Sequence, residues 1–186
     1  MDLGISGKVA LVSASSAGLG FASALALAEA GCKTVISGRD EERLMQAASK
    51  IPNSLPIIAD VSTVNGSQAL IKEAKSQLGT TIDILITNAG GPPTGTFAST
   101  DVDQYLSAIE LNLMSVVAMC KETVPDMQEK KWGRILAITS ISVRQPIPNI
   151  MLSNTARAGA TGFLKTMALE VAPDGMTIDN GVLTWK

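Results

Sequence analysis

The chain has few of the side chains on which many protein functions depend. Its 186 residues include no histidine, two cysteines, one tyrosine and three phenylalanines. Without histidine, and with no acidic or cysteine residues at metal-ligand spacing, the sequence predicts that no metal is bound. Cys32 lies beside a predicted strand and Cys120 within a predicted helix. Both positions are typical of small buried apolar residues in a reducing compartment, so we expect a cytoplasmic protein.

Charge and hydropathy exclude further classes of function. The net charge is −2, and the charged residues are spread along helix faces, so the basic footprint of a nucleic-acid-binding protein is lacking. No apolar run approaches membrane-spanning length, and the first predicted strand begins too early to leave room for a signal peptide. Hydrophobic residues make up 46% of the chain. This supports one core, and a single domain over residues 1–186 is expected.

What the chain does have is a regular alternation of strand and helix patterns. Strands are predicted over residues 8–13, 33–37, 55–59, 82–87, 134–139 and 176–183. Helices are predicted over residues 21–30, 40–50, 64–78, 102 to about 124, and 152–171, with Asp40 as an N-cap and Pro125 near the end of the fourth. This order predicts an α/β Rossmann-type fold, a doubly wound parallel sheet in three α/β/α layers that binds its ligand beyond the strand carboxyl ends.

A turn of small residues joins the first strand to the first helix. It runs from Ser13 to Gly20, and the helix that follows is predicted to end at Gly31. Small residues let the backbone approach a pyrophosphate, and the helix N-terminus offers free N–H groups and a partial positive charge. The hydroxyls of Ser13, Ser15 and Ser16 are expected to add donors. A tight turn with no ligand stays open as the alternative, because one glycine-rich loop is a weak signal.

Several further motifs follow in an order that resembles the short-chain dehydrogenase/reductase family, over essentially the whole chain. The turn resembles the family's Thr-Gly-x-x-x-Gly-x-Gly, with Ala14 at its first glycine, and the branch resembled is often labelled 3-oxoacyl carrier-protein reductase. The other matching segments are Asp60-Val61, Thr87-Asn88-Ala89-Gly90, Leu111-Asn112-Leu113 and Gly133-Arg134-Ile135 to Ser140. The resemblance implies dinucleotide contacts at Ser13, Ser15, Ser16, Gly18, Leu19, Gly20, Asp60, Val61, Asn88, Ala89 and Gly90.

The end of the second strand bears on the choice of cofactor. An NAD site needs a carboxylate there, whereas the 2′-phosphate of NADP needs space and a cation. The chain has Ser37-Gly38-Arg39. We therefore expect Arg39 to pair with a phosphate, and NADP(H) to be preferred over NAD(H). Ala17 stands where many NADP-binding relatives have a second basic residue, and a solvated Arg39 beside a capping Asp40 is the alternative.

The catalytic pair that the resemblance implies is replaced in this chain. Family members place a proton-donating tyrosine four residues before a lysine, together with a serine and a helix asparagine. Ser140 and Asn112 match the last two, but Ser153 and Arg157 stand at the tyrosine and lysine positions. Arg157 is expected to hold the nicotinamide ribose, although it cannot release a proton. Ser153 is either part of an altered catalytic set or an ordinary polar residue or N-cap.

The C-terminal segment also departs from the family pattern. Family members continue past the sixth strand into a Pro-Gly loop, a substrate lid and a last strand, and residues after Asn180 match this poorly. We expect the lid and last strand to be lacking.

The predicted function is an NADP(H)-dependent oxidoreductase that interconverts a small-molecule carbonyl and alcohol by an atypical proton path, as a homo-oligomer formed through the two long helices. The alternative is a dinucleotide-binding protein or truncated fragment with little or no turnover.

Overall fold

A parallel sheet of six strands forms the centre of the molecule, in a computed structural model that describes residues 2–181. The strand order is β3-β2-β1-β4-β5-β6. The strands are β1 (Val9–Val12), β2 (Lys33–Gly38), β3 (Ser54–Ile58), β4 (Ile84–Thr87), β5 (Gly133–Ile138) and β6 (Met176–Gly181). Each strand pairs in parallel with its neighbours, and the order reverses between β1 and β4. The predicted doubly wound α/β sheet is confirmed, and the reversal opens a crevice where such folds bind ligands.

Helices cover both faces of this sheet. They are α1 (Gly18–Glu29), α2 (Glu41–Ala48), α3 (Val64–Leu78), α4 (Val102–Ile109), α5 (Ser115–Glu129) and α6 (Met151–Val171). Alternate residues of β1 point to opposite faces, so Leu11 packs in a core with α3, α5 and α6, while Val12 packs in a second core with α1 and α2. The sheet therefore separates two hydrophobic layers, which gives the predicted three-layer arrangement in one domain.

The predicted helix from Val102 to about Val124 differs from the observed one in two ways. A π-helical turn, Glu110–Met114, interrupts it between α4 and α5, and α5 continues through Pro125 to Glu129. A proline costs an interior helix about 3 kcal/mol. Here Met127, beyond the proline, is fully buried against the sheet. Burial of a large side chain is worth about 1.5–3 kcal/mol, which offsets the missing hydrogen bond.

The last described strand lies at an edge of the sheet. Strand β6 pairs with β5 from Gly133↔Met176 to Ile138↔Gly181. The predicted strand extended to Leu183, and its final two residues lie outside the described part of the chain, as do Thr184, Trp185 and Lys186. Within residues 2–181, no helix has the length and apolar character needed to cross a bilayer.

Candidate dinucleotide and catalytic site

A cavity of about 630 Å³ opens at the carboxyl ends of β1, β2 and β4. It lies at the point where the strand order reverses, as expected for a nucleotide site in this class of sheet. Eight of the predicted cofactor-binding residues line it: Ser16, Gly18, Arg39, Asp60, Val61, Asn88, Ala89 and Gly90. The structure therefore brings together residues that are up to about 70 positions apart in the sequence.

The turn between β1 and α1 depends on two glycines for different reasons. Gly18 has φ +59°, and a Cβ built there would meet nothing within 4 Å, because the residue faces the open cavity. Gly20 is packed tightly, and a Cβ would lie 2.7 Å from both the Ala14 carbonyl oxygen and Asn88 Nδ2. Gly20 thus lets α1 approach the turn, while Gly18 leaves its backbone open to a ligand. Ala14, at the family's first glycine position, holds φ +46°.

Two of the three serines in this turn do not have the predicted role. Ser13 and Ser15 are fully buried. The Ser13 hydroxyl donates to the Asn88 carbonyl at 2.6 Å and accepts from the Asn88 N–H at 2.8 Å, which ties β1 to β4. The Ser15 hydroxyl donates to the Val12 carbonyl and accepts from the Ser37 N–H. Their hydroxyls satisfy backbone groups and shape the turn, so they are not the free donors that the sequence predicted, while a contact from either backbone to a dinucleotide stays a prediction.

Ser16 is the serine that lines the cavity, whereas Leu19 and Gly20 do not. Leu19 is 46% exposed at the start of α1, and Gly20 is buried beneath the turn. The groups that the cavity offers to an anion are the Ser16–Gly18 backbone and the Ser16 side chain. The predicted contacts of Leu19 and Gly20, which follow in the first turn of α1, stay predictions.

The end of β2 presents Arg39, followed by Asp40, an exposed acid that also lines the cavity. The Ser37 hydroxyl is buried and accepts from the Ala14 N–H at 3.1 Å. Any Cβ at Gly38 would lie 3.2 Å from Ser16 Cβ and Oγ, so a larger side chain is disfavoured there. Arg39 lines the cavity as predicted. Asp40 caps α2 by accepting from the Arg43 N–H at 2.9 Å, which confirms the predicted N-cap.

Arg43 is a second cation at this end of the cavity, and the sequence reasoning missed it. It lies in the first turn of α2, four residues after Arg39, and lines the same cavity. Its position three residues after the capping Asp40, at the start of the helix that follows the second strand, was the signal that could have identified it. Both arginines line the cavity together with Ala17, which stands where many NADP-binding relatives have a second basic residue.

Asp60 and Asn88 shape the opposite wall. Hydrogen bonds from the Ser62 backbone N–H and hydroxyl lower the pKa of Asp60, and the charge of Arg39 adds to this effect. Asn88 Nδ2 donates to the Ala14 carbonyl at 2.9 Å, so it braces the turn. Asn112, buried in the π-helical turn, donates through Nδ2 to the Gly90 carbonyl at 2.9 Å. The predicted catalytic asparagine therefore holds the loop that follows β4.

A second, small cavity adjoins the first beneath this loop. It is lined by Thr87, Asn112, Thr139 and Arg157, among others, and shares Asn88, Ala89 and Leu111 with the large cavity. Its free space is about 10 Å³, close to the volume one water needs. Two buried acceptors, Thr87 Oγ1 and Asn112 Oδ1, have no hydrogen-bond partner there. Thr87 belongs to one of the segments that match the family, but the sequence did not predict that it lines this cavity.

Arg157 joins the first turns of α6 to the end of β5. Its Nε donates to Ser153 Oγ at 3.2 Å, and Nη1 donates to the Ile138 carbonyl at 2.9 Å. Burial lowers the pKa of the guanidinium, which nevertheless stays charged because arginine titrates far above neutrality. Ser153 lies inside α6, whose N-cap is Ile150, so the N-cap alternative for Ser153 is wrong.

Ser140 follows β5 and caps the short 3₁₀ turn Ile141–Val143 by accepting from the Ser142 N–H at 3.1 Å. Its own hydroxyl hydrogen has no acceptor among residues 2–181. Ser140 and Ser153 do not line the small cavity, whereas Asn112 and Arg157 do. The structure thus joins Ser153 to Arg157 directly and places Arg157 with Asn112. Tyr105, the chain's one tyrosine, lies on α4 and lines neither cavity.

Known proteins share this fold and sequence pattern. The 3-oxoacyl-[acyl-carrier-protein] reductase of Synechocystis is 32% identical over 94% of this chain and 72% of its own. Human dehydrogenase/reductase SDR family member 4 is 28% identical over 94% of this chain. The chain spans 64% of that protein's length.

Solved structures agree in fold. L-Sorbose reductase from Gluconobacter frateurii, complexed with NADPH and L-sorbose, superimposes with a TM-score of 0.88 and 33% identity, covering 95% of this chain and 68% of its own. A 7α-hydroxysteroid dehydrogenase complexed with NADH has a TM-score of 0.88 and 26% identity over 95% and 70% of the two chains. The family model for short chain dehydrogenase matches residues 8–183. The chain therefore belongs to the short-chain dehydrogenase family.

Proposed function

We propose that the protein is an NADP(H)-dependent oxidoreductase that interconverts a carbonyl and an alcohol without a tyrosine proton donor. One observation carries the proposal: a cavity of about 630 Å³ has Arg39 and Arg43 at one end and adjoins the Arg157 cavity at the other. Relatives bound to NADPH, and relatives named as reductases, support it. The site is also unusual, because Ser153 stands where family members have the proton-donating tyrosine.

The residues present fit an extended dinucleotide. The α1 N-terminus and the open backbone at Gly18 suit a pyrophosphate, because free N–H groups and the helix dipole favour anions there. Arg39 and Arg43 suit a 2′-phosphate, and Asp60 with Val61 line the adenine end. Arg157 retains two Nη2 donors that no acceptor of residues 2–181 uses, which suit ribose hydroxyls. When bound, the dinucleotide supplies or accepts the hydride.

The proton must come from a weaker source than a phenol. Arg157 keeps its proton, and Ser153, whose oxygen accepts from Arg157 Nε, has an aliphatic hydroxyl that is a much weaker acid than a phenol. The hydroxyls of Ser140 and Ser153 and water are the remaining donors. A positioned general acid contributes about 10²–10⁴-fold to a rate. Electron-poor carbonyls depend less on such an acid, so they are the substrates that this site favours.

Replacing Arg39 by alanine is expected to weaken NADPH binding about tenfold to a hundredfold, because a charge-assisted phosphate contact is worth about 1.5–3 kcal/mol. NADH binding should change little, since NADH has no 2′-phosphate. Isothermal titration calorimetry with both cofactors measures this. Lys33→Ala is the matched control, because it removes one exposed positive charge from the opposite end of β2. Equal losses for NADPH and NADH would contradict the assignment.

We also propose a homo-oligomer formed through α5 and α6. A groove of about 320 Å³ between them is lined by Val124, Pro125, Phe163 and Met167, among others. A second copy would cover this apolar surface. Phe163→Glu should reduce the mass measured by light scattering to that of a monomer, whereas Phe97→Glu, at a residue 83% exposed elsewhere, should leave it unchanged. A wild-type protein that is already monomeric would exclude the oligomer.

The alternative function is a dinucleotide-binding protein with little turnover. The hydrogen bond from Arg157 to Ser153 favours it, because it holds a serine, which is a poor general acid, at the position where the family has its proton donor. A cytoplasmic location is also proposed, and it is in keeping with Cys32 and Cys120, which are buried as predicted and not joined in a disulfide.

A further inference from the structure

Arg157 carries a positive charge that forms no salt bridge with an acid among residues 2–181. Its two hydrogen bonds go to neutral groups, the Ser153 hydroxyl and the Ile138 carbonyl. Within residues 2–181, the salt bridges join Lys72 to Glu122, Lys75 to Asp126, Lys130 to Asp83 and Lys131 to Asp174, and none includes Arg157. The other polar groups of the small cavity, Asn112 and Thr87 among them, are uncharged. A charge that is partly removed from water is screened less than one on the surface.

This charge lies at the end of the site remote from Arg39 and Arg43. The small cavity of Arg157 and the large cavity share Asn88, Ala89 and Leu111 among their lining residues, so they lie next to each other at the end of β4. A dinucleotide with its 2′-phosphate at the two arginines therefore extends toward Arg157 with its nicotinamide end. This step rests on the proposed function.

We propose that Arg157 makes the site select the reduced dinucleotide over the oxidised one. The oxidised nicotinamide ring bears a positive charge, whereas the reduced ring is neutral. A fixed cation near the ring therefore repels NADP⁺ and leaves NADPH unaffected. At an effective dielectric constant of about 20, unit charges about 10 Å apart repel enough to change an affinity on the order of tenfold. The oxidised cofactor leaves more readily after turnover, and the reduced cofactor replaces it.

A neutral replacement of Arg157 separates this effect from hydrogen bonding. Arg157→Gln removes the charge but keeps N–H donors, and Arg157→Lys keeps the charge with different donor geometry. If Arg157 only holds a ribose, both redox forms should weaken equally in either variant. If its charge selects the redox form, the ratio of the two dissociation constants should change in Arg157→Gln and persist in Arg157→Lys.

The experiment measures NADPH binding by fluorescence titration and NADP⁺ binding by calorimetry for the wild type and both variants. We expect the NADP⁺-to-NADPH ratio of dissociation constants to fall about tenfold in Arg157→Gln and to stay near the wild-type value in Arg157→Lys. The ring-free ligand 2′-phospho-ADP-ribose is the control, because it lacks the nicotinamide. Its binding also shows that each variant is folded.

Two outcomes would overturn the inference. A ratio in Arg157→Gln equal to that of the wild type would show that the charge does not discriminate between redox forms. An equal fall in both variants would assign the effect to the donor geometry. Failure of every dinucleotide and of 2′-phospho-ADP-ribose to bind the wild type would instead reject the proposed function, and with it the inference.

Discussion

Replacing Ser153 by tyrosine and Arg157 by lysine together is expected to raise carbonyl reduction with NADPH by about 10²–10⁴-fold. The two positions are one helical turn apart on α6 and already in contact, since Arg157 Nε donates to Ser153 Oγ at 3.2 Å. A phenol beside an ammonium would provide the general acid that the serine lacks. Asn112 and Ser140, the other two members of the family's catalytic set, are unchanged. Initial rates across a panel of carbonyl compounds measure the gain.

The two single substitutions are the controls for this experiment. Ser153→Tyr alone leaves the phenol beside a guanidinium that cannot exchange protons, and Arg157→Lys alone leaves no phenol. Each should therefore raise the rate much less than the pair, and the gain should be largest for unactivated ketones. If neither the wild type nor the double variant turns over, while both bind NADPH, the protein is a dinucleotide-binding protein and the oxidoreductase proposal is wrong.

Gly18→Ala is expected to weaken dinucleotide binding by about two orders of magnitude, which corresponds to about 2.8 kcal/mol. The added methyl group would project into the open space where a pyrophosphate approaches the α1 N-terminus. The left-handed backbone at φ +59° adds a strain of about 1 kcal/mol for any residue with a Cβ. Calorimetric titration with NADPH and NADH measures the loss for both cofactors.

Gly79→Ala is the matched control. Gly79 has φ +64° and also has nothing within 4 Å of a built Cβ, but it ends α3 and does not line the cavity. Both variants should lose similar stability in thermal denaturation, about 1 kcal/mol, and only Gly18→Ala should lose affinity. A Gly18→Ala protein that binds NADPH as tightly as the wild type would show that the turn is structural and holds no phosphate.

The elements of the fold could be predicted because their signals are local. Strands β1 and β4 are short apolar runs, α3 ends at a glycine with φ +64°, and Asp40 caps α2. The prediction failed where tertiary packing outweighed a local preference. Pro125 was expected to end a helix, but burial of Met127 extends α5 to Glu129. The π-helical turn around Asn112 was also not predicted, because the spacing of the apolar residues does not distinguish it from a continuous α-helix.

The sequence predicted many of the residues that belong to the candidate site, but not which of their side chains face the cavity. The motif order located the cavity residues Gly18, Arg39, Asp60 and Asn88. It could not separate serines that face the cavity from serines that bond the backbone, because burial depends on strands that are distant in sequence. Ser13 and Ser15 are buried against β4 and β2 for this reason.

The sequence by itself determined the parallel α/β sheet, the position of the small-residue turn between β1 and α1, and the replacement of the tyrosine and lysine by Ser153 and Arg157. These follow from periodicity, from glycine positions and from spacing along the chain. Only the tertiary structure decided that Arg43 joins Arg39 and that Arg157 lies beside Asn112 without a counter-ion among residues 2–181. The physical reason is that solvation and charge depend on what packs around a side chain, and that packing forms only when distant strands pair.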